Sequence, residues 1–188
     1  MRILGIDPGS RVSGYAVIEV INFKMKYITS GVIKPDLGDT FFDRLPSIFE
    51  KFQSVIETHH IDDVAIESLI HVKNVVSLAK LAQARGAMLA SVAKLATHVV
   101  EYSPNKVKSS VSGYGHADKK MIHLSIERIL GSKIDCATHD ESDALAVAIT
   151  HGIETMGSAK IKSSVPKGVF TRKSSSLAAS INPDKLKY

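Results

Sequence analysis

A single cysteine, Cys136, in a chain of 188 residues leaves no partner for an internal disulfide. The fold must therefore be held by its core, as suits a reducing, cytoplasmic setting. The eight histidines show no zinc-ligand spacing with that cysteine. No apolar run approaches the ~18 residues that a membrane span needs, so no membrane role is expected. Arg2 and Asp7 put charge where a signal peptide would be apolar, so this stretch reads as a first strand and not as a targeting segment. No internal repeat is present. The body also lacks net charge. Residues 157–188 hold Lys160, Lys162, Lys167, Arg172, Lys173, Lys185 and Lys187 against Asp184 alone, which accounts for the whole formal net charge of +5. A nucleic-acid surface on the body would have to come from local clustering.

What is present is apolar pattern. Hydrophobic residues make up 44% of the chain, enough for one well-packed domain at this length. Arg2–Asp7, Gly14–Ile21 and Lys26–Lys34 read as a three-strand antiparallel meander with short connections. Asp43–His60 carries Leu45, Ile48, Phe49, Phe52, Val55 and Ile56 at a helical period. Asp63–Glu67 is a short buried strand, Asn74–Ala96 a long alanine-rich helix, and His98–Tyr102 a strand limited by Pro104. Lys119–Leu130 is a helix that Gly131 would cap. Asp140–Glu154 is a final helix with acids in its first turn, where the helix dipole favours them. This order predicts a mixed five-stranded sheet flanked by helices, with the body ending near residue 156. Residues 157–188, rich in serine and lysine, read as a flexible basic tail.

Four acids stand out by position. Asp7 ends the first strand before Pro8-Gly9, and Glu67 ends the apolar strand DVAIE. Asp140 and Asp143 lie three apart at a helix start and so share a face. Asp7 would also suit an ordinary turn, and the helical pair would also serve as caps. Glu67, after four apolar residues, has no such alternative. If the first and fourth strands are parallel neighbours, Asp7 and Glu67 emerge at one edge, and the helix would complete an all-carboxylate pocket. Hard oxygen donors suit Mg2+, with Mn2+ as substitute, and two such ions can support phosphodiester cleavage.

The segments ILGIDPGSRVSGYAVIE, DDVAIES, KNVVSLAKLAQARGA and DESDALAVAITH resemble the bacterial RuvC resolvases, from residue 2 to about residue 152. The resemblance implies an RNase H-like fold and a cytoplasmic homodimer that cuts four-way (Holliday) DNA junctions with magnesium, beside the RuvA–RuvB branch-migration complex. It places the family's catalytic carboxylates on Asp7, Glu67, Asp140 and Asp143, and DNA-facing lysines on Lys108 and Lys119. Lys73, at the head of KNVVSLAK, is expected to join the DNA-binding set. The chain departs from the family at Ile70, where an aromatic that contacts unstacked bases is usual. An aliphatic side chain can wedge between bases but offers no π face. The family's dimer helix falls on Asn74–Ala96, where Ala82, Gly86 and Ala90 recur every four residues; from its broad apolar face alone the same segment would also suit a fully buried core helix.

Other residues carry less. Lys106, Lys108, Lys119 and Lys120 flank Ser112–Gly115 and suit phosphates or a plain solvated loop. Tyr114 would suit a stacked base or an exposed loop. Gln83 and Arg85 are expected on the surface of the long helix, and His139, beside Asp140, would suit either a helper at the site or a plain surface residue. An actin-like ATPase or sugar kinase also uses an aspartate–glycine turn, but it needs two such domains. A pre-ribosomal RNA nuclease of the same fold lacks the long apolar helix. A non-catalytic junction binder would not require all four acids.

Overall fold

The computed structural model describes residues 1–36, 38, 40–69, 74–93 and 98–164. Strands β1 (Arg2–Asp7), β2 (Ser13–Ile21) and β3 (Lys24–Ile33) form the expected meander. Asn22 and Phe23, both at positive φ, make the tight β2–β3 turn. Helix α1 (Arg44–His59) leads to β4 (Asp63–Glu67), which lies parallel to β1, and α2 (Val75–Ala93) leads to β5 (His98–Tyr102), parallel to β4. The sheet order is β3-β2-β1-β4-β5, with the first strand, β1, at its centre. Helices α3 (Pro104–Ser112), α4 (Lys119–Leu130) and α5 (His139–Ser164) complete the fold.

Alternation along the strands divides the core in two. Leu4, Ile6, Val17, Val64 and Ile66 pack with Ile48 and Phe52 of α1 and Met88 of α2. Ile3, Ala16, Ile18 and Ala65 pack on the opposite face against Leu145 and Ile149 of α5. Asp7 and Glu67 fall in step with Ile3 and Ala65, so strand parity assigns both acids to the α5 face. Helix α5 lies on that face at close range because Gly5 and Gly14 present bare backbone to it. A methyl group at Gly5 would run into the Ala144 carbonyl and the Ala148 amide, and one at Gly14 into the Asp140 carbonyl.

Three expectations need correction. The stretch after Pro104 is a helix, α3, and not a loop: Ser103 accepts the Lys106 N–H, Pro104 occupies the first turn, and Gly113 at φ 78° closes it. Helix α5 runs past Glu154, the end expected for it, to Ser164. Residues 165–188 lie outside the described residues. Arg85 is not a surface side chain. It is only 15% exposed and pairs with Glu101 of β5 at 2.8 Å.

Helix α2 buries only Ala84, Met88, Ser91 and Val92. Val75 and Val76 are 79% and 63% exposed, and Ala82, Gly86 and Ala90 are exposed too. This apolar helix is not a core helix within one chain. No helix among the described residues is long and apolar enough to cross a membrane.

Because the Gly5 contact is with helix backbone, relief by side-chain motion is not open to it. Gly5→Ala is expected to cost about 1–3 kcal/mol, in the range of overpacked sites. A lowered urea midpoint at unchanged m value is the result to look for; an unchanged midpoint would show that α5 can shift off the sheet freely.

Candidate active site

Parallel pairing of β1 with β4 runs to Ile6 opposite Ile66. The next residue of each strand is Asp7 and Glu67, so the two acids leave the sheet side by side. In the antiparallel pair on the other side of β1, Asp7 is opposite Gly14. The absent side chain at Gly14 lets the backbone of Asp140 settle there, which brings the first turn of α5 to the same edge. Three elements far apart in sequence thus deliver four acids to one place.

Their electrostatics show the convergence. Burial and the charges of Glu67, Asp143 and Asp140 push the Asp7 carboxyl up to about 7, although Lys119 opposes them. Burial raises Glu67, with the Asp143 charge adding to it and Lys108 working against it. Burial also raises Asp143 against the pull of Lys119, His139 and Lys108. Lys119 Nζ lies 3.8 Å from Asp143 Oδ2. All four acids are half-buried, while Lys108 and Lys119 are exposed.

A cleft of about 970 Å³ opens beside these acids, between α3, α4 and the start of α5. Glu67, Asp143, Lys108, Lys119, Lys120 and His139 are among its lining residues, whereas Asp7 and Asp140 do not line it. Lys106 turns away and pairs with Glu154 at 2.5 Å. Tyr114 is exposed, with its ring against His116. Ile70 and Lys73 lie outside the described residues.

The donor set is all carboxylate, which suits a hard divalent cation. Among the described residues, no three His, Cys, Asp or Glu side chains are placed to clasp one ion together. The acids share an edge, and the charges of Glu67, Asp143 and Asp140 all bear on Asp7. Their type and mutual repulsion fit a divalent counter-charge; the shell would have to tighten on it.

One acid in the same turn was read from sequence only as a dipole partner. Glu141 is 7% exposed and accepts hydrogen bonds from Ser30 Oγ at 2.9 Å and Thr138 Oγ1 at 3.2 Å. The pattern Thr138-x-x-Glu141 is a capping-box signature that could have singled it out; its partner on β3 could not have been read from sequence.

Residues 3–151 match the family described as crossover junction endodeoxyribonuclease RuvC. The chain belongs to the RuvC family. The RuvC of Geobacter sulfurreducens is 40% identical over 151 residues, covering 80% of this chain and 92% of that protein. The RuvC of Thermotoga petrophila is 39% identical over 155 residues, covering 82% and 94%. Among solved structures, T. thermophilus RuvC in complex with Holliday junction substrate superimposes with a TM-score of 0.77 at 30% identity, covering 84% of this chain and 96% of that one. The yeast mitochondrial Holliday junction resolvase, at 14% identity and a TM-score of 0.59, shares the fold. The sheet order and flanking helices are those of an RNase H-like RuvC domain.

In this RuvC-family chain, Asp7 makes stability depend on pH in a definite direction. Its folded pKa of about 7 lies above the ordinary 3.8. The stability that a neutral Asp7 allows is complete below the ordinary value and is lost as pH rises through about 7. In metal-free buffer, Asp7→Asn is therefore expected to raise Tm at pH 8, and by steadily less toward pH 4. An increment that does not vary with pH would mean that Asp7 is not crowded by its neighbours.

Proposed function

We propose that this chain resolves four-way DNA junctions by cutting two strands of like polarity, one in each subunit of a symmetric homodimer. The observation that carries the reading is the meeting of Asp7, Glu67, Asp140 and Asp143 at one sheet edge beside a lysine-lined cleft. It occurs in a chain that matches the RuvC family over residues 3–151. T. thermophilus RuvC, whose structure holds a Holliday junction substrate, supports the choice of DNA.

Asp7, Glu67, Asp140 and Asp143 would hold Mg2+, or Mn2+ in its place, with two ions per subunit during catalysis. Such ions, when bound, supply water activation and charge neutralisation for phosphodiester hydrolysis. The protein's own part is to fix the acids on rigid elements and to hold the backbone. Lys108 projects from α3 and Lys119 from the first turn of α4, on the cleft's rim, where they neutralise phosphates on either side of the cut. Lys73 and Ile70, which follow Glu67 in sequence, would meet DNA beside the crossover. Ile70 would act as an aliphatic wedge without a stacking face. The basic segment after α5 adds salt-sensitive, sequence-independent affinity. The reaction belongs to recombination and repair in the cytoplasm, with RuvA–RuvB as the partner complex.

Replacing Asp7 by Asn removes a ligand charge and leaves the lysine surface intact. Asp7→Asn should bind a synthetic four-way junction within about twofold of wild type, the spread ordinary for a surface left unchanged. Its cleavage should fall by about 100-fold or more, the upper range for disturbing even an outer partner of a metal site. Retained cleavage would remove Asp7 from the catalytic set.

The exposed apolar face of α2 supports the dimer. A two-fold contact along α2 would bury Ala82, Gly86 and Ala90, whose small side chains allow close approach, and would point two active edges at the two halves of a junction. Ala82→Glu, which would place an unpaired carboxylate in that contact, is expected to shift sedimentation from dimer to monomer at micromolar concentration. Paired incision should be lost before fold. Wild-type protein that sediments as a monomer and still makes paired cuts would refute this role for α2.

A further inference from the structure

We propose that Glu141 is a positioning residue for the resolvase reaction, which sets where Asp140 and Asp143 stand by tying the first turn of α5 to Ser30 of β3. The inference rests on the site reading given above and adds a residue to it.

The four acids are not held alike. Asp7 and Glu67 are fixed by strand pairing on both sides of β1 and between β4 and β5. Asp140 and Asp143 depend on the rotation and height of a helix end, and helix ends fray. The Gly14 contact stops the turn from sinking further into the sheet; a contact of that kind does not stop it from rotating or lifting. Glu141 supplies the second restraint. Successive helical residues turn by about 100°, so Glu141 leaves the helix well away from the side shared by Asp140 and Asp143. There it meets β3. Ser30 Oγ donates to one carboxyl oxygen at 2.9 Å, and Thr138 Oγ1 donates to the other at 3.2 Å. The Glu141 N–H in turn donates to Thr138 Oγ1 at 3.3 Å. Ser30 is itself held by the Tyr27 hydroxyl at 3.0 Å.

Burying a carboxyl at 7% exposure with two hydroxyl partners is costly. A threonine cap alone would satisfy the helix end. The extra group earns its place by joining that end to a strand that carries none of the four acids.

Three variants of the full-length protein test this: Glu141→Ala, Ser30→Ala and Glu141→Gln. The readouts are Mn2+ binding to DNA-free protein by calorimetry, junction binding without metal, and the Mn2+ dependence of junction cleavage. The alanine variants should bind Mn2+ about tenfold more weakly, as expected when a supporting partner of a ligand set is lost. They should need correspondingly more Mn2+ to cut, with junction affinity unchanged. Glu141→Gln should restore most of the Mn2+ affinity. Its carbonyl can accept from Thr138, and its amide can donate to Ser30 once the Ser30 proton turns toward Tyr27. Wild-type Mn2+ affinity in both alanine variants would overturn the proposal. So would Glu141→Gln as weak as Glu141→Ala, because that result would assign the effect to charge alone. If Glu141→Ala does not fold, Ser30→Ala, which removes no charge and sits on β3, decides. Asp7→Asn measured alongside separates two failures: cleavage retained there sinks the site reading, whereas cleavage lost there with unchanged Mn2+ affinity in the alanine variants sinks only the role of Glu141.

Discussion

The contact between α5 and the bare backbone of β1 and β2 is the constraint on which the active edge depends. A helix normally stands off a sheet by the length of the side chains between them. At Gly5 and Gly14 there are none, so the Ala144 and Asp140 carbonyls come down onto the strands. That depth decides whether acids on the helix can reach acids on the sheet. Alternation does the rest: Asp7 and Glu67 belong to the same strand face as Ile3 and Ala65, which packs on α5. The two glycines and the strand parity together convert a common layered fold into one with four carboxyls at a single edge.

The arrangement works against the stability of the isolated fold. Asp7 sits partly buried among three other acids and titrates near neutrality, so ionising it strains the native state more than the unfolded chain. Lys108 and Lys119 offset part of this but stay exposed. Exposed lysines serve incoming phosphates better than they serve buried acids, since screening weakens surface pairs. Charge is therefore only partly compensated: negative at the edge and positive on the cleft rim. That imbalance suits a site that gains its counter-charges from a cation and a nucleic-acid backbone. The largely apolar core on either side of the sheet carries the fold meanwhile.

Much of this was legible in the sequence because it is local. Asp7 and Glu67 interrupt apolar runs, and Asp140 and Asp143 keep helical spacing, so their common edge followed once β1 and β4 were taken as parallel neighbours. Helix α3 was missed although its signals were present. Ser103-Pro104 is a helix start, but only Val107 and Val111 are buried, too short a stripe to show a period. Arg85 was misplaced because its partner, Glu101, comes from β5, and pairing at that range leaves no trace in spacing. The composition of α2 suggested either a core helix or an interface. Only its position in the fold, with Val75 and Val76 turned outward, separates the two. The clamp on Glu141 was out of reach for the same reason as Arg85: Ser30 lies 111 residues away.

The two exposed features of the fold are not independent. Helix α2 begins a few residues after Glu67, and β4 delivers Glu67 to the active edge, so the exposed helix and the acid are joined through one short connection. A two-fold partner lying along this helix would set the distance and orientation between two edges by symmetry. A partner of another kind would leave that distance unset. For chemistry that must cut twice at symmetric places, a helix rooted beside the catalytic strand is the shortest mechanical path from one site to the other. So apolar a helix, open on its outer face in a chain whose remaining apolar helical residues are largely packed against the sheet, suits such a contact.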